Sequence, residues 1–535
     1  MTISALAVVA GAIIVLVAIA KRINVAYPIV LVLGGIAIGY IPGVPTATMR
    51  PDLVLLVFLP PLLYWESVTA PSSDFKTGAW WIFQLAFGLV VVTTVAVAVV
   101  IHFIDANVGW AAAFVLGAIV ASTDEVAFVT LAERLRVPRH LVATIEGESL
   151  INDATSLILY GVAVAAVVGQ SFSLGHALGS LVLSVVAAVA IGIVAGAIVV
   201  GAWALAQDED VQPIISLIAP YISYLPAYFL GVSGVLAVVV TGLFVSRFTP
   251  RVLLPRTRLR AVGFWVTIVF VLNAFIFVLI GLQFRSIVST LSHLSHSIGT
   301  LILYGVIVSA VVIVVRIVWV FAQALLPVTN EPEHAEGEAD WSHVAVLAWT
   351  GMRGGISLAA ALAIPLTVAT GPFPQRDLII FLTLCVLLAT LVGQGGSLPW
   401  LLKRLKVKDD GADEREERLA MARTARIALI KLSALRRERQ IPDPIMMALR
   451  QRFRSRWREF ENTRDGSAYR ERIASLYRGI ERELLDVQRA ELIRLRDRGK
   501  IDNTVMRRVL TLLDLEDQEI SMLGSTGHMD LDPEK

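Results

Sequence analysis

Eight ionisable side chains interrupt stretches that are otherwise apolar: Glu66, Asp124, Glu125, Glu146, Glu148, Asp153, Arg316 and Arg353. No lysine is among them. A charge at membrane depth is costly, so each is a candidate for function or for pairing. The densest cluster is Ile145-Glu146-Gly147-Glu148-Ser149-Leu150-Ile151-Asn152-Asp153-Ala154-Thr155-Ser156. At about 100° per helical residue, Ser149, Asp153, Ser156 and Tyr160 form one stripe, and Glu148, Asn152 and Thr155 form the adjoining one. Leu150, Ile151, Ala154, Leu157 and Ile158 point away. This helix therefore turns a polar arc towards a partner or a cavity.

The arc suits a monovalent hard cation, which seeks several oxygen ligands. Asp153, Ser149, Asn152 and Thr123 carry the right atoms. A carboxylate withdrawn from water is poorly tolerated as a bare charge, so it holds a proton when no cation is present. Competition of proton and cation for one carboxylate is antiport in outline. The plainer alternative for Asp153 is a carboxylate hydrogen-bonded across helices. Glu148 is expected to pair with a buried arginine, Arg316 or Arg353, because a stranded buried charge is strongly destabilising. Ser122-Thr123-Asp124-Glu125 forms a polar knot in mid-span, which predicts a discontinuous helix. There Asp124 neutralises exposed backbone amides at a following half-helix; direct ligation of the ion is its second reading.

The elements that position these groups are membrane helices. Of 535 residues, 56% are hydrophobic and 17% charged, with a mean hydropathy of +0.72, far from a soluble composition. About thirteen apolar stretches long enough to span, or nearly so, recur between residues 4 and 401. Those carrying the polar groups cover about 52–70, 109–135, 140–168, 298–327 and 343–371. The first, 4–20, has the length of a signal peptide but no basic start, and is read as a retained helix. Pro60 and Pro61, Gly231 and Gly234, and the Gly351–Gly355 cluster mark places where helices break. Cys385, the single cysteine, sits in an apolar run and is read as a core residue.

With the amino terminus outside, inward loops hold Lys21, Arg22, Lys76, Arg134, Arg136, Arg139, Arg247, Arg251, Arg256, Arg258 and Arg260. Outward loops hold only Arg50, Arg285 and Arg376. This bias places the carboxy terminus in the cytoplasm, and the acidic inward loops at 208–210 and 331–340 do not overturn it. Residues 402–535 form a second region, Arg/Glu-rich with spaced Leu, Ile and Met, which predicts amphipathic helices in water. It is expected to be accessory or regulatory. Ile441-Pro442-Asp443-Pro444 divides it into at least two helices, and the last ten residues read as disordered. The net charge of +2 averages these two regions and implies no nucleic-acid partner.

The string GAIVASTDEVAFVTLAERLRVPRHLVATIEGESLINDATSLILYGVAV, residues 117–164, resembles the central helix pair of sodium/proton antiporters of the monovalent cation:proton antiporter 1 family. FLPPLLYWE at 58–66 and WTGMRGGISLAAALAIP at 349–365 are similar to two further signatures of that family. The resemblance covers about residues 4–401. It implies an all-α polytopic protein of the inner (plasma) membrane, with inverted repeats, two broken crossing helices and a moving core, assembled as a homodimer. It marks Asp153 as the shared proton and sodium ligand, Asn152 as its neighbour, Ser149 and Thr123 as oxygen ligands, and Asp124 at the break. Glu148, Arg316 and Arg353 are marked as supporting ion pairs. The family has proline after the Thr-Asp pair where this chain has Glu125, and its early acidic residue follows the double proline more closely than Glu66 does.

The implied exchange is electroneutral, of sodium, lithium or potassium for protons, by an elevator-like mechanism with no cofactor. Two other classes remain open on the residues alone. Asp124 and Asp153 resemble the pair of an intramembrane aspartyl protease, although no Gly-x-Gly-Asp element occurs. A cation channel would need a continuous pore.

Overall fold

Apolar runs become helices throughout the computed structural model. It describes every residue except 1–2, 24–26, 43–49, 71–78, 126–127, 130–131, 133–136, 170–173, 207, 209, 294–296, 326–340, 369–370, 408–411, 439–441, 462–467, 499, 501–504, 507–508, 511 and 519–535. Lys76, Arg134, Arg136, the acidic loop 331–340 and the last ten residues therefore lie outside the described residues.

The helices of the first unit, Met1–Asp409, begin with α1 (Ile3–Ile23), α2 (Tyr27–Gly39), α3 (Pro51–Val57), α4 (Leu59–Thr69), α5 (Ala79–Phe83), α6 (Val90–Ile104) and α7 (Trp110–Ala121). They continue with α8 (Arg139–Val168), α9 (Leu174–Leu205), α10 (Val211–Phe229), α11 (Gly234–Val252), α12 (Pro255–His293) and α13 (Ile298–Ala324). The last are α14 (Trp341–Trp349), α15 (Gly355–Leu362), α16 (Arg376–Leu388) and α17 (Gly396–Leu405). A two-residue ladder, Thr367–Val368 with Gly371–Pro372, interrupts this all-helical order.

Seven helices among the described residues are long and apolar enough to cross a membrane, and three shorter ones are apolar. Their outer faces fit lipid rather than water. On α9, Leu183, Val186, Ile193, Val194 and Ile198 are all exposed, a run of apolar surface that a soluble fold would have to cover. Leu62, Leu63, Trp265, Phe277 and Val278 face inward as core.

Several apolar stretches are not single helices. The 52–70 stretch turns at Phe58, because Pro60 and Pro61 lack amide hydrogens and fit only the first turn of a new helix. The 109–135 stretch leaves the helix at Ser122, whose extended backbone ends α7. The 343–371 stretch unwinds over 350–354 between α14 and α15 and does not stay helical to its end. Gly231, at φ +68°, belongs to the turn that joins α10 to α11. Two π-helical segments, Gln84–Leu89 and Ala389–Gly395, join α5 to α6 and α16 to α17.

The second unit, Asp410–Lys535, contains α18 (Ala412–Glu438), α19 (Asp443–Glu461) and α20 (Ala468–Asp497). Leu485 and Leu513 are buried together there. Arg489 binds Asp514 and Asp517 at 2.9 and 2.8 Å.

Candidate functional site

Where α7 ends, Ser122 takes an extended backbone and Thr123 follows it outside the helix, against the middle of α8. The polar arc of α8 meets them there. Glu148, Ser149, Asn152, Asp153 and Ser156 are all at most 2% exposed, so the arc faces protein and not lipid. The Asn152 side chain grips Thr123 twice, donating from Nδ2 to Thr123 Oγ1 at 2.6 Å and accepting from Thr123 N at 3.3 Å. Ser149 Oγ donates to Thr123 O at 2.9 Å. An unwound segment at membrane depth needs such partners, since no water satisfies its backbone. The Ser122 hydroxyl donates to Asp153 Oδ1.

A second unwound segment closes the site. Asp124 N donates to Met352 O at 2.8 Å, so the break after α7 and the break before α15 are joined backbone to backbone. Ser357 Oγ reaches Ser122 O at 3.5 Å. The Asp124 carboxylate lies against Gly354, where any Cβ would collide with it. This puts a negative group at the amino-terminal end of α15, where helix amides lack partners and the helix dipole favours an anion.

Around this junction is a small cavity, lined by Ser122, Thr123, Asp124, Asp153, Gly354, Gly355, Ile356 and Ser357. Glu66 from α4 and Asn273 from α12 complete the lining. Asn152 and Ser149 stand behind it, holding Thr123 in place. Three carboxylates thus face one cavity. Oε2 of Glu66 is buried with no hydrogen-bond partner among the described residues.

Glu148 points away from the cavity. Arg316 of α13 binds it with both terminal nitrogens, Nη1 to Oε1 and Nη2 to Oε2 (2.8 Å for the second), and Arg316 Nε donates to Leu347 O at 3.2 Å. Of the two arginines offered by the sequence, Arg316 is the partner. Arg353 is buried within electrostatic reach of Glu148, Asp153 and Arg316. Its backbone N donates to Thr390 Oγ1 at 3.2 Å, while its Nε and Nη1 have no hydrogen-bond partner among the described residues. Glu125 sits beside Ser149, with Glu146 close by.

In the sequence pattern Glu66 has no assigned role, Ser122 figures only as part of the polar knot, and Asn273 and Ser357 do not stand out. Asn273 could have been found as the lone amide in Ile268-Val269-Phe270-Val271-Leu272-Asn273-Ala274-Phe275-Ile276.

Residues 9–404 match the family described as sodium/hydrogen exchanger, transmembrane. The chain belongs to that family. Among similar proteins, an uncharacterised Na+/H+ exchanger of Mycobacterium tuberculosis is 33% identical over 95% of this chain and 94% of its own length. An uncharacterised Na+/H+ exchanger of Escherichia coli is 30% identical over 91% and 94%. The sodium proton antiporter of Methanocaldococcus jannaschii, solved at pH 8, shares the fold with a TM-score of 0.61, at 19% identity over 75% of this chain and 98% of that one. This exchanger is accordingly a multi-pass membrane antiporter that exchanges a cation for protons. The family consists of transporters, not enzymes, so the paired-aspartate protease falls away.

Proposed function

We propose that this exchanger swaps sodium for protons, one for one, at Asp153. The observation that carries the reading is a carboxylate 2% exposed, facing a cavity where two unwound segments meet and several oxygens converge. A sodium ion there takes Asp153 as its charged ligand and draws on Thr123 for an oxygen, with Ser149 holding the Thr123 backbone. Asn152 fixes Thr123, and Asp124 secures the break. The names of the relatives support sodium as the cation.

In this reading the chain has thirteen spans arranged as inverted repeats, with the two broken helices crossing at the site. The exchanger works as a homodimer in the plasma membrane, amino terminus outside and tail in the cytoplasm. The broken-helix group carries its bound ion past the remaining helices, elevator fashion, and opens the cavity to each side in turn. Glu148 with Arg316 braces that group, and Arg353 supplies positive charge near Asp153.

One carboxylate carrying either one proton or one monovalent cation gives the loaded site the same charge in both directions. Asn152 does not titrate, and the arginines stay charged. Exchange in vesicles, followed by fluorescence dequenching with sodium, lithium and potassium in turn, is therefore expected to reach the same equilibrium with and without an imposed potential. A net charge moved would instead feel about 2.3 kcal/mol per 100 mV. A shift with potential would mean that Glu66 or Glu125 carries an extra proton per cycle.

Residues 1–401 are proposed as the transport domain and 402–535 as an accessory tail. Removing residues from 410 onward is expected to leave sodium-dependent dequenching intact, because each candidate ligand precedes that point. Complete loss in a correctly inserted truncation would make the tail part of the transport machinery.

A further inference from the structure

Asn273 is a polar residue in the middle of an apolar helix. It lies on α12, flanked by Val271, Leu272, Ala274 and Phe275, and is 8% exposed. It lines the same cavity as Asp153. Among the described residues no hydrogen bond engages its amide, so a group that would be costly to bury unpaired faces the proposed ion site.

Its approach is set by Gly355, the first residue of α15. Asn273 Oδ1 packs where a side chain on residue 355 would begin, and a Cβ there would collide with it. Glycine at 355 thus lets α12 bring a side-chain oxygen up to the start of α15, next to the residues around Asp124 and Ser357.

Resting on the reading of Asp153 as the ion site, we propose that Asn273 supplies a neutral amide oxygen to the transported cation and so sets which cation the exchanger prefers. A single carboxylate attracts every monovalent cation, and lithium, sodium and potassium carry equal charge. Discrimination must come from the number, spacing and field strength of the neutral oxygens that replace water around the ion. Ser149 and Asn152 already spend polar groups on Thr123. Asn273 is held by no such bond, and its oxygen is set by the helix that carries it. It therefore fixes one edge of the coordination shell.

The test compares full-length wild type, Asn273→Ala, Asn273→Thr and Asp153→Asn in vesicles. Apparent KM and maximal rate are measured for sodium, lithium and potassium, and melting temperature serves as the control for folding. Asn273→Ala is expected to raise the KM for the preferred cation about tenfold, as for loss of one contact to a charged group. The ratio of KM values among the three cations should change, with maximal rate and melting temperature little affected. Asn273→Thr, which keeps an oxygen, should restore part of the preference. Unchanged KM ratios in a folded Asn273→Ala protein would overturn the proposal while loss of exchange in Asp153→Asn leaves the ion site standing. An equal loss for all three cations together with a lower melting temperature would make Asn273 a packing residue and overturn it too. Sodium-dependent exchange retained in Asp153→Asn would overturn the site reading and this inference together.

Discussion

Asp153→Asn is expected to abolish exchange of every cation while leaving a folded, inserted protein. The amide has nearly the shape of the carboxyl and still offers an oxygen to the Ser122 hydroxyl, so the contact between α8 and the unwound segment survives. The substitution removes the negative charge that holds a dehydrated cation and the group that takes up the proton in its place. Both halves of the cycle fail at once, unlike the loss of a neutral ligand, which weakens binding but leaves competition in place. Dequenching on addition of sodium, lithium or potassium should fall to that of vesicles lacking the protein, at unchanged yield and melting temperature. Sodium-dependent proton movement at the wild-type rate would remove Asp153 from the centre of the mechanism.

The parts of this site that were legible in the sequence are those encoded by local pattern. Helical periodicity alone puts Ser149, Asn152 and Asp153 on one arc of α8, and the polar knot at 122–125 falls where α7 stops. What was not legible is which groups meet across the bundle. Glu148 and Arg316 are 168 residues apart, and Arg353 satisfied the same requirement for a buried cation. The choice rests on the Arg316 side chain reaching from α13 to α8, which neither helix encodes alone. Glu66, Asn273 and Ser357 reach one cavity from three different elements, and each looks like an isolated polar residue until those elements pack. The π-helical segments were also invisible, because one extra residue in a turn barely disturbs an apolar run. The join from Asp124 N to Met352 O is between backbone atoms, for which side-chain pattern carries no signal.

Glu148→Ala should damage the fold before it damages the chemistry. Glu148 is fully buried and Arg316 is 2% exposed, and the two meet through paired hydrogen bonds that tie α8 to α13. Arg316 also donates to Leu347 O, which brings α14 into the same junction. Truncating the glutamate leaves a guanidinium buried with one backbone carbonyl for a partner, and breaking a buried pair in this way costs about 3–5 kcal/mol. Lower expression and a lower melting temperature in detergent are the expected result, with activity per folded molecule reduced less than yield. Removing both charges separates pairing from ion binding. Glu148→Leu with Arg316→Met leaves no stranded charge, and apolar replacements of a buried pair are often neutral or stabilising. The double variant should therefore melt well above Glu148→Ala and still exchange sodium for protons. A Glu148→Ala protein that is as stable as wild type but inactive would instead place Glu148 among the ion's ligands.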